Sequence, residues 1–443
     1  MKRRTFLKSA AAGALALAAA PAFVGAQDKT QTFSVALVGC GWWGTNILGS
    51  AMAGGQVKLA ALCDVDQHQL AKCAAEIAKQ TRDTPRHYTD FRDMLAKEKP
   101  QIVINATPDH WHALITIAAV NSGAHVYVEK PISHTVMEGL AMVKAARAAD
   151  RVVQVGTHRR VAPHNISAYK FLRSGQAGKI GMIRAFVYGG NGKDGPETPR
   201  PNADPPKTFD WDFWCGPAPL RQFNQRIHPR GFRQFLDYAN GQLGDWGIHW
   251  IDQALWIMNA AYPKTIFSTG GRPIKGPPVN SDAGQTTDAP DHQVVNYAFD
   301  DFTLTWEHRQ FAGHEDEKTE PVGAKFYGSK GVFDLGWQSG WTFYPADGSP
   351  PAHQNAVFSG EANSDNIPEL WADFIESIRT KRRPVCDIEI GHRATSAALL
   401  GMISLKLGRS VRWDGEKQMI LDDPQATELL RRPYRGPWKY PQI

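Results

Sequence analysis

The sequence has 443 residues, of which 42% are apolar and 21% are charged, as in an ordinary soluble globular protein. The formal net charge of +6 comes without a long basic run, which argues against a nucleic-acid partner. The five cysteines form no Cys-x-x-Cys pair, which argues against a disulfide framework and a zinc site.

The N-terminus is predicted to be a removable twin-arginine export signal over residues 1–26. Arg3 and Arg4 precede an apolar, alanine-rich stretch, and small residues follow that allow cleavage after Ala26. The apolar stretch of about 15 residues is short for a bilayer span, so a retained membrane anchor is the less favoured interpretation. We therefore expect export of the folded protein by the twin-arginine machinery, to a periplasmic or secreted location.

From residue 27 to residue 155, apolar strands alternate with amphipathic helices. The predicted strands are 33–39, 57–63, 101–106, 125–128 and 152–155, and the predicted helices are 43–53, 67–80, 113–121 and 135–148. Strands that alternate with helices predict an α/β domain with a doubly wound parallel sheet, the Rossmann architecture.

Residues 156–443 are predicted to form a second, α/β domain. Stretches rich in Pro, Gly and Asn predict loops over 191–207, 270–291 and 344–366. The strand-like segments are 294–299, 302–309, 324–327 and 331–335. This texture predicts a large, open, mostly antiparallel sheet with few helices.

A glycine-rich turn follows the first predicted strand. Its sequence is Gly39-Cys40-Gly41-Trp42-Trp43-Gly44, and Asp64 ends the next strand. The glycines would allow a tight turn, approach of a pyrophosphate and close helix packing, and the helix N-terminus would receive the phosphate charge. A carboxylate at Asp64 would accept hydrogen bonds from ribose hydroxyls and would repel a 2′-phosphate. The pattern therefore favours NAD over NADP.

Two later groups of segments narrow the choice among protein families that have a Rossmann domain. They are Thr107-Pro108-Asp109-His110-Trp111-His112 with Glu129-Lys130-Pro131, and Gly244-Asp245-Trp246-Gly247-Ile248-His249. Together with the glycine turn, they resemble the Gfo/Idh/MocA family, the glucose–fructose oxidoreductase and inositol dehydrogenase group. The resemblance implies a Rossmann domain joined to an α/β domain whose open sheet forms contacts in a homo-oligomer.

The proposed chemistry is the oxidation of a secondary alcohol, which needs a base for the hydroxyl proton and a donor for the developing alkoxide. Asp245 and His249 are four residues apart, so a helix would place both on one face, with His249 as base and Asp245 as its orienter or as a substrate ligand. By the resemblance, Lys130 orients the sugar hydroxyl and tunes proton transfer. The catalytic residues are therefore predicted to be Lys130, Asp245 and His249.

The remaining site predictions combine the glycine turn with the same resemblance. The expected cofactor-binding residues are Gly39, Gly41, Trp43, Gly44, Asp64, Thr107, Pro108, His112, Glu129 and Lys130. The expected substrate-binding residues are His158, Arg159, Asp245 and His249, although domain packing is an open alternative for His158 and Arg159. No metal is expected, because His110 and His112 lack a third ligand at a convincing spacing.

These predictions indicate an NAD(P)-dependent oxidoreductase that acts on the CH–OH group of a sugar or sugar derivative. A periplasmic enzyme has no pool of free NAD, so the cofactor is expected to stay tightly bound and to be recycled in the site. One alternative is redox-neutral cleavage of a glycoside through a 3-keto intermediate. A second alternative is a non-catalytic sugar-binding protein with a nucleotide fold.

Overall fold

The computed structural model describes residues 32–190, 195–313, 320–360 and 365–442. The predicted signal over residues 1–26 lies outside these ranges, as does part of the predicted loop 191–207. Within the described ranges, no helix is both long and apolar enough to cross a membrane.

The first domain is built on a six-stranded parallel sheet. Its strands are β1 (Phe33–Val38), β2 (Val57–Cys63), β3 (Arg86–Tyr88), β4 (Ile102–Asn105), β5 (His125–Val128) and β6 (Val153–Val155). Its helices are α1 (Trp42–Ala53), α2 (Gln67–Ile77), α3 (Phe91–Glu98), α4 (Asp109–Asn121) and α5 (Val136–Ala148). The strand order is β3-β2-β1-β4-β5-β6, which confirms the doubly wound sheet and places the topological switch between β1 and β4.

Side-chain caps fix where several of these helices begin. Asp66 and Asp90 accept hydrogen bonds from backbone N–H groups in the first turns of α2 and α3. Thr135 and Glu138 form a capping box at the start of α5. The helices therefore begin at defined residues close to the carboxyl ends of the strands, where ligands bind in such sheets.

The rest of the chain contributes the remaining helices and strands. The helices are α6 (Pro163–Arg173), α7 (Trp211–Cys215), α8 (Ile248–Met258), α9 (Ile367–Thr380), α10 (Ile388–Leu407) and α11 (Pro424–Glu428). The strands are β7 (Ile180–Tyr188), β8 (Arg200–Pro201), β9 (Thr265–Gly271), β10 (Gly284–Gln285), β11 (His292–Ala298), β12 (Thr303–Arg309), β13 (Val322–Gly328), β14 (Gly331–Gly336), β15 (Trp341–Pro345), β16 (Ala352–Gln354), β17 (Val411–Asp414) and β18 (Met419–Ile420).

Ten of these strands form the large sheet of the second domain, in the order β16-β15-β14-β13-β7-β12-β11-β9-β17-β18. Only β7 and β12 run parallel among these neighbouring strands of the described sheet. The predicted strands 294–299 and 302–309 pair antiparallel as β11 and β12. The prediction of a large, mostly antiparallel sheet is therefore confirmed.

Two predictions about the second half of the chain need correction. The short strands β8, β10 and β16 lie inside segments predicted to be loops. Helices are also more abundant than predicted, because α9 and α10 alone span 14 and 20 residues. Leu370, Trp371 and Phe374 of α9 share one core with the Rossmann strands, so this helix packs on the first domain although it lies in the second half of the chain.

Candidate active site

One cavity of about 1270 Å³ is lined by residues of both domains. Its walls include the glycine turn after β1, the chain just beyond β2, β4 and β5, part of the segment between β8 and α8, and the start of α8. Pockets for drug-sized ligands measure about 300–1,000 Å³, so this cavity has room for a dinucleotide and a small second ligand.

The glycine turn has the geometry that a pyrophosphate requires. Gly39 has φ of +93°, and a Cβ there would lie 2.7 Å from the carbonyl carbon of Ala106. A Cβ on Gly44 would lie 2.1 Å from the carbonyl oxygen of Gly39, so α1 packs closely on the turn. A Cβ on Gly41 would meet nothing within 4 Å, which leaves open space at the N-terminus of α1. Gly39, Gly41, Trp43 and Gly44 all line the cavity, and the turn fits a dinucleotide.

Asp64 lies just beyond β2, on the cavity wall, as predicted for a ribose ligand. Its carboxylate accepts hydrogen bonds from the backbone N–H groups of Cys40 at 2.7 Å and of Asp66 at 2.9 Å. Burial raises the pKa of Asp64 to about 6, although both backbone bonds oppose that shift. The carboxylate is therefore mostly ionised at neutral pH and is anchored to the glycine turn itself.

His112 links the two loops on the other side of the switch point. One ring nitrogen lies 2.7 Å from the carbonyl oxygen of Pro131 and the other lies 2.7 Å from that of Thr107. Burial lowers the pKa of His112 to about 4, against the effect of both carbonyls. Thr107 and Pro108 also line the cavity, so His112 fixes the Thr107-Pro108 turn relative to the loop that carries Lys130.

Lys130 and Asp245 form an ion pair inside the cavity. The Lys130 Nζ lies 2.8 Å from Asp245 Oδ1 and also donates to the Asp245 carbonyl oxygen at 2.9 Å. Arg233 contributes a second cation, with its Nε 3.4 Å from the same Oδ1. Burial alone would raise the pKa of Asp245, but Lys130 and Arg233 hold it below its ordinary value. The structure therefore brings two of the three predicted catalytic residues into direct contact.

His249 and His158 lie close together at the same end of the cavity. Their ring centroids are 5.7 Å apart, and both rings pack edge-on against Trp337. Burial, with the nearby positive charge of Lys130, lowers the pKa of His249 well below its ordinary value. Burial, followed by the nearby positive charges of Arg159 and Lys130, lowers the pKa of His158 well below its ordinary value. Both imidazoles are therefore neutral at physiological pH.

The structure does not support the prediction that Asp245 orients His249. No hydrogen bond joins the two side chains among the described residues, and the buried Nδ1 of His249 has no partner there. The reason lies in the backbone, because Leu243–Gly247 forms a π-helical turn and regular α-helix begins only at Ile248. This wider turn carries Asp245 to Lys130 instead.

Arg159 is not on the cavity wall, unlike its predicted partner His158. Only 2% of Arg159 is exposed, and its guanidinium carbon lies 3.3 Å from the centroid of the Trp337 ring. It also donates a hydrogen bond to the Trp337 carbonyl oxygen at 3.0 Å. Arg159 therefore packs behind Trp337, which is itself on the cavity wall. This position agrees with domain packing, the alternative to substrate binding for Arg159.

Glu129 is buried on the cavity wall beside Lys130. One carboxylate oxygen accepts a hydrogen bond from the Tyr127 hydroxyl at 3.4 Å, and the other accepts one from the Lys130 backbone N–H at 3.2 Å. Burial raises the pKa of Glu129, although the Lys130 charge opposes this. A Cβ on Gly156 would lie 2.2 Å from Glu129 Oε1, so this glycine leaves the space that the carboxyl occupies.

Asp109, Arg233 and Trp337 are among the residues of the cavity wall that sequence reasoning did not assign to the site. Asp109 is buried at the start of α4, and burial followed by repulsion from Asp245 raises its pKa to about 7. Its position after Thr107-Pro108 could have identified it. Arg233 and Trp337 lie in segments without a recognisable motif, so only the fold places them in the site.

No group of three or more His, Cys, Asp or Glu side chains that could hold a metal ion occurs within the described ranges. The five cysteines, Cys40, Cys63, Cys73, Cys215 and Cys386, are all free and buried.

Family models match most of this architecture. The Gfo/Idh/MocA model described as "oxidoreductase family, NAD-binding Rossmann fold" matches residues 33–157. The companion model, "oxidoreductase family, C-terminal alpha/beta domain", matches residues 186–267 and 359–440. The two matched segments of the second model are separated by residues 268–358, which include strands β11–β16 of the large sheet.

Curated relatives match a stretch of 128 residues of this chain. A "glycosyl hydrolase family 109 protein" of Shewanella sp. (strain W3-18-1) is 32% identical over 128 residues. An "alpha-N-acetylgalactosaminidase" of Shewanella oneidensis is 29% identical over 128 residues. Each match covers 28% of this chain and 28% of the relative, so the likeness is limited to about a quarter of either protein.

Solved structures share the fold over most of the chain. The aldose-aldose oxidoreductase of Caulobacter crescentus is 20% identical, with a TM-score of 0.64 over 86% of this chain and 100% of that chain. The myo-inositol 2-dehydrogenase of Lactobacillus plantarum is 19% identical, with a TM-score of 0.63 over 87% and 100%. A levoglucosan dehydrogenase, solved with NADH and levoglucosan, is 19% identical, with a TM-score of 0.62 over 86% and 99%.

Proposed function

This chain belongs to the Gfo/Idh/MocA family of oxidoreductases, and we propose that it oxidises a CH–OH group of a sugar or sugar derivative with a tightly bound NAD. The observation that carries the proposal is the Lys130–Asp245 pair, which lies in the same cavity as the glycine turn. NAD, when bound, supplies the acceptor for the hydride that leaves the sugar carbon.

The polar groups of the cavity suit the other half of this reaction, which is the loss of the hydroxyl proton. The Lys130 ammonium can donate a hydrogen bond to the sugar hydroxyl and stabilise the oxygen as negative charge develops. His249 is neutral, and a neutral imidazole is the form that can accept a proton. Asp245 holds the Lys130 Nζ in place, and His158 and Trp337 complete the wall against which the sugar would pack.

We favour NAD over NADP because of the ribose end of the cavity. The Asp64 carboxylate there would accept hydrogen bonds from the ribose hydroxyls and would repel a 2′-phosphate. The NADH in the structure of the levoglucosan dehydrogenase is compatible with this choice.

Export remains part of the proposal. Residues 1–26 have the features of a twin-arginine signal, and that route carries folded proteins, so a nucleotide bound in the cytoplasm would travel inside the protein. Because the periplasm supplies no free NAD, a second carbonyl substrate would have to take the hydride back. The name of the aldose-aldose oxidoreductase with the same fold describes a reaction of this type.

We also propose a homo-oligomer, formed through the open face of the large sheet. Met182, Phe267, Tyr344 and Met419 are the large apolar side chains of this sheet that are most exposed, at 40–43%. Size-exclusion chromatography with light scattering would measure the mass, and a monomer at micromolar concentration would contradict this part of the proposal.

Redox-neutral glycoside cleavage is the second candidate, because the curated relatives that match over 28% of the chain include glycosyl hydrolase family 109 proteins. The Glu129-Lys130-Pro131 segment favours the oxidoreductase, since exported glycosidases of this superfamily typically depart from it. A non-catalytic sugar-binding role is the third, and the filled positions of Lys130, Asp245 and His249 count against it.

One experiment separates these candidates. Mature protein recovered from the periplasm is dialysed and acid-denatured, and the released nucleotide is identified and quantified per chain by mass spectrometry. The intact protein is then mixed with aldoses, polyols and aryl glycosides while the absorbance of reduced nicotinamide is followed. Reduction by a sugar and reoxidation by a second carbonyl compound are expected. Release of an aglycone without net redox change would favour the glycosidase. A bound nucleotide that no sugar reduces, with no aglycone released, would favour the non-catalytic sugar-binding role.

A further inference from the structure

The segment 208–239, here called the roof segment, covers one side of the nucleotide cavity. Phe213, Trp214, His228 and Arg230 of this segment line the same cavity as the glycine turn. The roof segment belongs to the second half of the chain, yet it is joined to the Rossmann domain along two edges.

The first edge is fastened to the loop that follows β2, beside Asp64. Asp66 and Phe209 form an antiparallel backbone bridge, and the Asp210 N–H donates to the Val65 carbonyl oxygen at 3.1 Å. His228 lies 2.8 Å from Asp66 through its Nε2 and Oδ2 atoms, and its ring stacks on Phe209 with centroids 4.4 Å apart. The ribose end of the cavity is therefore covered by a second layer of chain.

Arg230 extends this first edge across the glycine turn. Its guanidinium carbon lies 4.8 Å from the centroid of the Trp42 ring, at the start of α1. Trp42 is 46% exposed, so this contact lies at the mouth of the cavity.

The second edge is fastened to α4. The carbonyl oxygen of Trp214 accepts a hydrogen bond from Trp111 Nε1 at 2.8 Å and lies 2.9 Å from the Nε2 of His110. Trp111 and His110 are both buried in α4, so this edge is anchored in the Rossmann domain itself.

The end of the chain reinforces this second edge. Residues 431–440, here called the C-terminal strap, place Arg435 against Asp212 and the carbonyl oxygen of Gly216, at 2.7 Å and 3.2 Å. Trp438 packs between the rings of Trp111 and Phe213, with centroid distances of 4.7 Å and 5.4 Å.

We propose that the roof segment retains the nucleotide, with His228 and the C-terminal strap as the two fastenings that must open before NAD can enter or leave. A dinucleotide on the glycine turn would lie between the Rossmann sheet and the roof segment, with fixed chain along both long edges of the cavity. This inference rests on the proposed function, since it assumes that the cavity holds NAD.

The test compares variants that each loosen one edge. His228→Phe keeps a ring for the stack on Phe209 and removes the bond to Asp66. Trp438→Ala removes the ring that packs on Phe213 at the other edge. Arg412→Ala is the matched control, because it breaks an ion pair with Asp422 in which both side chains are at least 58% exposed, and neither residue lines the cavity.

The readouts are the nucleotide content after dialysis and the NADH association and dissociation rate constants, measured by fluorescence with stripped protein. A roof that gates passage slows both entry and exit, so each edge variant should raise both rate constants by about tenfold or more and leave Kd within about threefold. Arg412→Ala should match the unchanged protein. Equal rates in all four proteins would overturn the inference, as would a faster dissociation alone, which would indicate a lost nucleotide contact. If the unchanged protein bound no NADH, the proposed function would fail instead.

Discussion

Replacement of Lys130 by methionine tests the centre of the proposed site. The substitution keeps the length of the side chain and removes the ammonium that lies 2.8 Å from Asp245. Residues that handle a proton or a developing charge in this way contribute about 10²–10⁴-fold to rate. We therefore expect kcat to fall by about 10²–10⁴-fold, which corresponds to about 2.7–5.4 kcal/mol of transition-state stabilisation.

The same substitution should lower the free energy of unfolding by less than the loss of a fully buried ion pair would. Removing one partner of a fully buried ion pair costs about 3–5 kcal/mol. Here Arg233 still faces Asp245 at 3.4 Å, and the side chains of Lys130 and Asp245 are 15% and 20% exposed, so about 1–2 kcal/mol is expected.

The assay is single-turnover reduction of the bound nucleotide by an excess of sugar, with urea unfolding measured in parallel. Lys97→Met is the control, since Lys97 also pairs with an aspartate, Asp93, but on the exposed face of α3. The control should keep kcat within about threefold of the unchanged protein. A Lys130→Met protein that folds, binds NAD and turns over at the same rate as the control would refute the role given to Lys130.

Three further predictions follow from the cavity wall and the N-terminus. The pKa of Asp109 is about 7 in the folded protein against an ordinary value of 3.8. Between these two values the folded chain binds more protons than the unfolded chain, so Asp109 makes the free energy of unfolding fall as pH rises from about 4 to 7. Asp109→Asn should remove this contribution, and urea unfolding should show its stability gain over the unchanged protein growing across that window; a constant difference would contradict the assignment. Gly156→Ala should destabilise the protein by about 1–3 kcal/mol, because the new methyl would meet Glu129 Oε1 at 2.2 Å, and thermal unfolding would measure it. Replacing Arg3 and Arg4 by lysine should leave unprocessed precursor in the cytoplasm, and a mature N-terminus at Gln27 in that variant would argue against the twin-arginine route.

The first domain was largely predictable because its signals are local. Each of its principal strands is a short apolar run, and the turn at Gly39 carries conformational requirements that only glycine meets without strain. The predicted helix 113–121 began too late, since α4 starts at Asp109 directly after Pro108. The edge strand β3 was missed because it has three residues and no apolar pattern.

The second half of the chain was less predictable because its decisive contacts join distant residues. The face of α9 that carries Trp371 reads as an ordinary amphipathic helix, and nothing local shows that it packs against Tyr127 of β5. Likewise, the pairing of Asp245 with Lys130 depends on a π-helical turn that no local sequence pattern indicates. Residue types in the site could be predicted, whereas partners separated by more than a hundred positions could not.

The C-terminal strap couples the roof segment to the core of the first domain. Arg432 and Tyr434 both reach the buried carboxyl of Glu138, and Tyr440 bonds to Thr135, so the strap packs against the start of α5. The same strap holds the second edge of the roof segment through Arg435 and Trp438. A substitution that displaced the strap would therefore expose the Glu138 carboxyl to water and loosen the roof segment at the same time.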